Sequence, residues 1–477
     1  MAIVLLVYAA LRLWGAADRS LWLDEIKTLQ SARLPLGYII PERAGNGHLP
    51  FYFLFMHFYI PVFGESHLAL RLPSLIGSVL TLLAVWAMAR RIFPSGDGWW
   101  LAPLVFLALN SFDVRNAQLV RPYAMLTATA GWSAWVMLVM LTDAERTARR
   151  HWWAALYAVL NLIGLGLHPT YALLILAQML LLLIVRGRAA DPRAWSALAA
   201  VQVGLVLAAG AALAALAAWQ QGVEDSDLQP PDVDRTIRRA GMVLFGLFDW
   251  TGKKSLFKYI TLAVLVGIPA LELRVWRRVG RTPGRLAGVV VILWFYGCLA
   301  MLLAASLSTG KIVAADRYFS IMLPVSPLLL ALPLRRMNSA KWRTVWAGVC
   351  SVLLVVTLIA ALRAPGDGLM EAISYVRDHL QPGDAVFVCS CTSNPAAFRY
   401  YTGGEIDPGC ADSCSATPEQ AAEFIAAQTA PRLWFFLYHC DGKGLSRYLE
   451  RHAAEVTGED WLKVRLFLYT AEPAASP

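Results

Sequence analysis

Two adjacent carboxylates, Asp24 and Glu25, lie in the run Trp22-Leu23-Asp24-Glu25-Ile26-Lys27, a few residues past a short apolar segment, Met1 to Trp14. Carboxylates at a membrane surface are costly and commonly serve a substrate, an ion or a cavity. One of them could take the proton from an attacking hydroxyl. Lys27 stands i, i+3 from Asp24, so a local ion pair is the competing explanation. Cations, imidazoles and phenols then recur at the ends of apolar runs: Glu42-Arg43, His48 in Gly47-His48-Leu49-Pro50, Arg71 in Leu70-Arg71-Leu72-Pro73, Arg115, Arg121 and Tyr123 within 115–123, His168 and Tyr171 in His168-Pro169-Thr170-Tyr171, and Arg317 and Tyr318 after Asp316. Each alone also has a bland explanation, such as snorkelling for Arg71, anchoring on lipid phosphates for Arg115 and Arg121, or a helix break for His168. Together they offer acids that activate a hydroxyl and arginines that hold an anion. The planar guanidinium suits phosphate because it donates two parallel hydrogen bonds and stays charged.

The elements that would position these residues are membrane helices. The 477-residue chain is 58% hydrophobic and 16% charged, with a mean hydropathy of +0.52; soluble domains are about 45–50% apolar. Apolar runs at about 1–16, 70–89, 98–112, 119–141, 152–167, 169–185, 195–219, 256–273, 286–307, 317–334 and 343–362 predict about 11 spanning helices. The opening run lacks a basic segment ahead of it and is read as a retained helix, not a cleaved signal. Basic clusters at Arg90-Arg91, Arg146 to Arg150, Arg186 to Arg193, Arg274 to Arg285 and Arg335 to Arg343 are each separated by two apolar runs, which puts those loops in the cytoplasm. The net charge of +9 is thereby explained without nucleic acid. Trp99-Trp100, Trp152-Trp153 and Trp219 fit interfacial belts. Loops of the other parity, 111–118, 168–169, 220–255 and 308–316, face outward. The run Leu49 to Phe63 is short for a span and reads as interfacial, so Asp24 and Glu25 join the outward face.

After Arg363 the character changes. A linker at 364–368 leads to a helix ending near His379, apolar strands at 385–389, 433–438 and 463–469, and helical patterns at about 418–428 and 444–454, a small α/β domain over 364–477. Residues 1–363 form the membrane domain. Five of the seven cysteines, Cys389, Cys391, Cys410, Cys414 and Cys440, crowd this polar region. Disulfides in an oxidising, extracytoplasmic compartment account for them, with a metal site as the rival.

The ordered set of motifs resembles the C-type membrane glycosyltransferases that use polyprenyl-phosphate sugars, in the branch of protein O-mannosyltransferases and of the aminoarabinose and galacturonic acid transferases acting on lipopolysaccharide. Leu23-Asp24-Glu25, Gly47-His48-Leu49-Pro50-Phe51-Tyr52, Phe63-Gly64, Ala69 to Ser74, Arg121-Pro122-Tyr123-Ala124, His168-Pro169-Thr170-Tyr171 and Arg317-Tyr318 carry it, over about residues 1–335. One departure is Leu49, where the family often has Pro, with His48 ahead of it in place of a Lys. The resemblance implies juxtamembrane helices in the first outer loop and a catalytic carboxylate at Asp24. It implies inverting transfer of a sugar from a polyprenyl-phosphate donor to an extracytoplasmic acceptor (glycolipid, polysaccharide or protein) at a bacterial inner membrane. Glu25 would assist Asp24, and Lys27, His48, Arg71, Arg121, Tyr123, His168, Tyr171, Arg317 and Tyr318 would bind donor phosphate or sugar. No metal and no cofactor is implied. A transporter or flippase of a polar lipid-linked substrate is the alternative. It would be expected to carry ionisable residues near the midplane, whereas this chain carries them at the ends of its runs.

Overall fold

The computed structural model describes the chain except for residues 94–95, 97, 144–148, 220–232, 247–253, 277–282, 310–315, 364–367, 390–393, 412–416, 439–443, 458–463 and 471–477, and except for the side chains of 254–257, 273–276, 283–284, 309 and 316. The chain forms two compact units, Met1–Ala16 with Leu34–Arg363, and Ala17–Arg33 with Ala364–Pro477.

The first unit is helical. Among the described residues, six helices are long and apolar enough to cross a membrane: His67–Ile92, Tyr123–Thr142, Tyr171–Arg188, Pro192–Trp219, Arg285–Ser308 and Ala340–Arg363. The expected number of about 11 is not reached by this measure. Two of the expected spans are broken helices. The run 317–334 divides into a 3-10 stretch Asp316–Met322, a helix Ser326–Ala331 and a second 3-10 stretch Leu332–Arg335. Pro324, Pro327 and Pro333 each remove a backbone donor there, which explains the interruptions. The run 98–112 likewise gives only a short helix, Ala102–Leu109, after a 3-10 turn. The run Leu49 to Phe63 folds as a 13-residue helix, Phe51–Phe63, below spanning length.

Close backbone approach fixes helix His67–Ile92 against helix Tyr123–Thr142. A Cβ on Gly77 would lie 2.8 Å from the backbone carbon of Ala124, so only glycine permits this crossing. The hydroxyl of Ser74, one turn earlier, donates to the carbonyls of Leu119 (2.5 Å) and Arg121 (3.3 Å). These contacts set the loop 118–122 and the start of helix Tyr123–Thr142.

In the second unit, strands β1 (Ala385–Val388), β2 (Gly409–Cys410), β3 (Arg432–Tyr438), β4 (Ala454–Val456) and β5 (Val464–Thr470) form one sheet in the order β2-β1-β3-β5-β4. β1 runs parallel to β2 and β3, and β5 runs antiparallel to β3 and β4. Helices Leu369–His379, Asn394–Tyr401, Pro418–Ala426 and Gly444–His452 accompany it. Phe435, Leu437, Leu449 and Phe467 fill a core that Ile425 completes. Cys389 and Cys410 each take part in a disulfide; Cys391, Cys414 and Cys440 lie outside the described residues.

Candidate active site

The acidic motif opens the helix Leu23–Ala32. Its two carboxylates have different surroundings. Glu25 is 1% exposed, and its Oε2 accepts from the backbone N–H of Trp22 at 3.0 Å, capping the helix start. Asp24 is half-buried, and its backbone carbonyl accepts from the Thr28 hydroxyl at 2.9 Å. Lys27 is half-buried on the same helix. Acidic side chains in the first turn also suit the positive end of the helix dipole. The helix packs on Asn394–Tyr401 within the second unit.

In the first unit, five of the residues singled out from sequence, His48, Arg121, Tyr123, Arg317 and Tyr318, gather around a sixth, His168. The His168 ring centroid stands 5.8 Å from that of Tyr123 and 5.2 Å from that of Tyr318. The Arg121 guanidinium lies 5.7 Å from the centre of the Tyr123 ring, with its Nη2 3.4 Å from the Tyr123 hydroxyl. Arg317 lies similarly over Tyr318, at 5.9 Å. Both are within the reach of a cation–π contact. Burial, the largest cause, and then the fields of His48, Arg121 and Arg317 push the His168 pKa well below its usual 6.5. The ring is therefore neutral at pH 7. Its Nδ1 accepts from the backbone N–H of Thr170 at 3.2 Å, which leaves the ring proton on Nε2 as a donor.

The same shift carries a stability consequence. Below the ordinary value of 6.5 the unfolded chain binds a proton at His168 that the folded chain refuses, so stability falls as pH drops through 6.5 toward the folded pKa. Thermal unfolding in detergent should therefore move to lower temperature between pH 7.5 and 5.5, and His168→Gln should flatten that dependence.

Separate anchors hold each part of the cluster. Gly47 adopts φ 78°, a conformation easy only for glycine, and turns the chain out of helix Leu36–Gly45 into His48, whose N–H donates to the Arg43 carbonyl at 2.9 Å. The His48 ring lies 5.9 Å from Phe53, which also lies under the guanidinium of Arg43 at 4.9 Å. Arg43 pairs with Glu42. Asn116 donates to the Ser320 hydroxyl and Thr127 to the Ser320 carbonyl, each at 3.2 Å, and the Trp294 indole donates to the Ile321 carbonyl at 3.3 Å. Those bonds fix the 3-10 stretch that carries Arg317 and Tyr318.

Two residues from the sequence list are placed elsewhere. Arg71 is 1% exposed and donates to the carbonyls of Gln118 (2.7 Å) and Ala16 (2.6 Å). Tyr171 is buried against Gly164, whose Cβ would lie 2.3 Å from its ring, with its hydroxyl 3.3 Å from that of Ser133. Sequence reasoning passed over another group altogether. Asp113 pairs with Arg12 at 2.6 Å, both fully buried, and accepts from the Tyr8 hydroxyl at 3.0 Å. Arg12 also donates to the carbonyls of Leu107 (2.9 Å) and Ala108 (2.8 Å). An arginine inside the otherwise apolar opening helix was the available signal. Among the described residues, no three His, Cys, Asp or Glu side chains converge as metal ligands would.

Comparison with known proteins agrees with this architecture. Residues 47–213 match the family model described as dolichyl-phosphate-mannose-protein mannosyltransferase. A comparison with curated protein sequences finds no match. Among solved structures, ArnT from Cupriavidus metallidurans in the apo state is similar over 98% of this chain and 96% of its own, with TM-score 0.59 and 12% identity. The same protein bound to undecaprenyl phosphate is similar over 100% and 99%, with TM-score 0.58 and 11% identity. The oligosaccharyltransferase AglB from Archaeoglobus fulgidus, in complex with an inhibitory peptide and a dolichol-phosphate, covers 91% of this chain and 68% of its own, with TM-score 0.54 and 13% identity. The chain thus has the fold of ArnT and AglB, and its residues 47–213 match the dolichyl-phosphate-mannose-protein mannosyltransferase family model.

Proposed function

We propose that this protein is an inverting glycosyltransferase that moves a hexosyl- or pentosyl-type sugar from a polyprenyl-phosphate carrier to an extracytoplasmic glycolipid, polysaccharide or protein. The observation that carries the reading is the cationic surround of His168, where, among the described residues, the ionisable groups that lower its pKa are Arg121, Arg317 and His48. Such a cluster favours an anion. Structural relatives with undecaprenyl phosphate and dolichol-phosphate bound support a lipid phosphate as that anion.

In this reading Asp24 takes the proton of the acceptor hydroxyl as its oxygen attacks the anomeric carbon from the face opposite the phosphate. The bond from the anomeric carbon to the phosphate oxygen breaks, and polyprenyl phosphate departs with the electron pair. Arg121 and Arg317 compensate the charge that develops on it, a role that preorganised donors fill at low cost in a dry site. The His168 Nε2–H is a further donor, and Tyr123 and Tyr318 offer ring faces or hydroxyls to the sugar. Arg71 serves the donor indirectly, by holding the backbone on which the cluster is built.

The protein would sit in a bacterial plasma membrane as a multi-pass protein, with the Asp24 segment and the C-terminal unit outside the cytoplasm. The disulfide-bonded Cys389 and Cys410 support that side. The transporter reading gains no support, because Arg121, His168 and Arg317 lie at or beyond helix ends and not within a spanning helix. Arg121→Gln tests the assignment: release of polyprenyl phosphate in membranes holding the native lipid-linked sugars should fall about 10²-fold, and an unchanged rate would remove Arg121 from the phosphate site.

A further inference from the structure

We infer that Tyr401 is a positioning residue for the acidic motif, so that the C-terminal unit takes part in the reaction by setting the backbone just ahead of Asp24. Its hydroxyl accepts from the backbone N–H of Leu21 at 2.7 Å and donates to the carbonyl of the same residue at 2.8 Å. One phenol thereby satisfies both main-chain groups of Leu21, as a neighbouring strand would. The next residue, Trp22, donates its N–H to the Glu25 carboxylate, and Asp24 sits in the turn that this bond closes. The chain from Leu21 to Glu25 is therefore defined by two side chains, Tyr401 before the motif and Glu25 within it.

Tyr401 can do this because its own helix is rigidly seated. Phe398, fully buried, meets Phe436 of β3 edge to face at 5.0 Å, and the Asn394 amide donates to the Cys389 carbonyl. Disulfide-bonded cysteines stand on both sides of the helix in sequence, Cys389 before it and Cys410 after it. The helix ends at Tyr401, and Gly403 and Gly404, at φ 63° and 88°, turn the chain away just beyond it. Burial, with the field of nearby Glu25 and Glu371, raises the Tyr401 pKa, so the hydroxyl keeps the proton that it donates. Leu21, Ile26 and Leu29 are wholly buried, which couples the position of the acidic helix to the packing of this unit. The association of segment 17–33 with residues more than 330 positions later is invisible in the pattern of the sequence.

The inference rests on Asp24 being the catalytic base. The test compares wild type, Tyr401→Phe and Asp24→Asn as full-length proteins in membranes, titrating lipid-linked sugar extracted from the native host and measuring release of free polyprenyl phosphate. Tyr401→Phe should lower the maximal rate about 10- to 100-fold, the cost of a small misplacement of a reacting group. The half-saturating donor concentration and the melting temperature should stay close to wild type. Amide hydrogen exchange should show Leu21 and its neighbours losing protection while the sheet keeps its own. A Tyr401→Phe enzyme with the wild-type maximal rate beside an inactive Asp24→Asn would overturn the positioning role. So would unchanged protection at Leu21. If Asp24→Asn itself transfers at the wild-type rate, it is the base assignment that fails, and the inference with it.

Discussion

Replacing Asp24 with Asn should lower sugar transfer by about 10²–10⁴-fold, the usual contribution of a general base, without unfolding the protein. The substitution is nearly isosteric. Asp24 is half-buried, and the helix start it occupies is capped by Glu25. Glu25 is poorly placed to take over the proton, because the residue is 1% exposed and its Oε2 already accepts from the Trp22 N–H. The loss should appear in the maximal rate, since an amide still hydrogen-bonds an acceptor hydroxyl but cannot deprotonate it. Transfer assayed in membranes from cells carrying each variant checks it, with a wild-type rate in Asp24→Asn counting against the assignment.

Asp113→Ala should cost about 3–5 kcal/mol of stability, the typical effect of removing one member of a buried ion pair. It would leave the Arg12 guanidinium, 2% exposed, without its carboxylate, and would deprive the Tyr8 hydroxyl of an acceptor. The damage would spread along the opening helix. Gln118 donates to the carbonyls of Arg12 (3.0 Å) and Trp14 (2.8 Å), and Arg71 to that of Ala16, so the Arg12–Asp113 pair belongs to a lattice that fixes the end of this helix. Combining Arg12→Met with Asp113→Leu should recover most of the loss, because both charges then leave the interior together. Thermal unfolding of the two single variants and the double variant measures this directly.

Much of the membrane architecture was legible because a helix in lipid must be apolar over its whole length. The runs at 70–89, 195–219, 286–307 and 343–362 each lie inside one long helix. The run 317–334 folds as a broken helix, a feature hydropathy does not register, because three prolines interrupt its backbone ladder. In the α/β domain, β3 and β5 were evident from their apolar runs, whereas β2 and β4, two and three residues long, leave no period to detect. The grouping of His48, Arg121, Tyr123, His168, Arg317 and Tyr318 could be anticipated from loop parity, since each abuts an apolar run on the same side. Arg71 and Tyr171 satisfied that criterion too, yet their side chains turn inward to a carbonyl and to a neighbouring helix. Parity fixes the end of a helix at which a residue lies, not the direction its side chain takes. The division of labour between Asp24 and Glu25, and the hold of Tyr401 on Leu21, depend on packing that no local pattern encodes.

The most direct test of the account is product analysis with purified protein in liposomes supplied with extracted polyprenyl-phosphate sugars and an envelope acceptor fraction. Sugar transfer by a single displacement predicts free polyprenyl phosphate in amounts equal to the glycosylated acceptor, with the anomeric configuration inverted in the product. Lipid-linked sugar that crosses the bilayer intact, with no polyprenyl phosphate released, would contradict the account and identify the protein as a transporter.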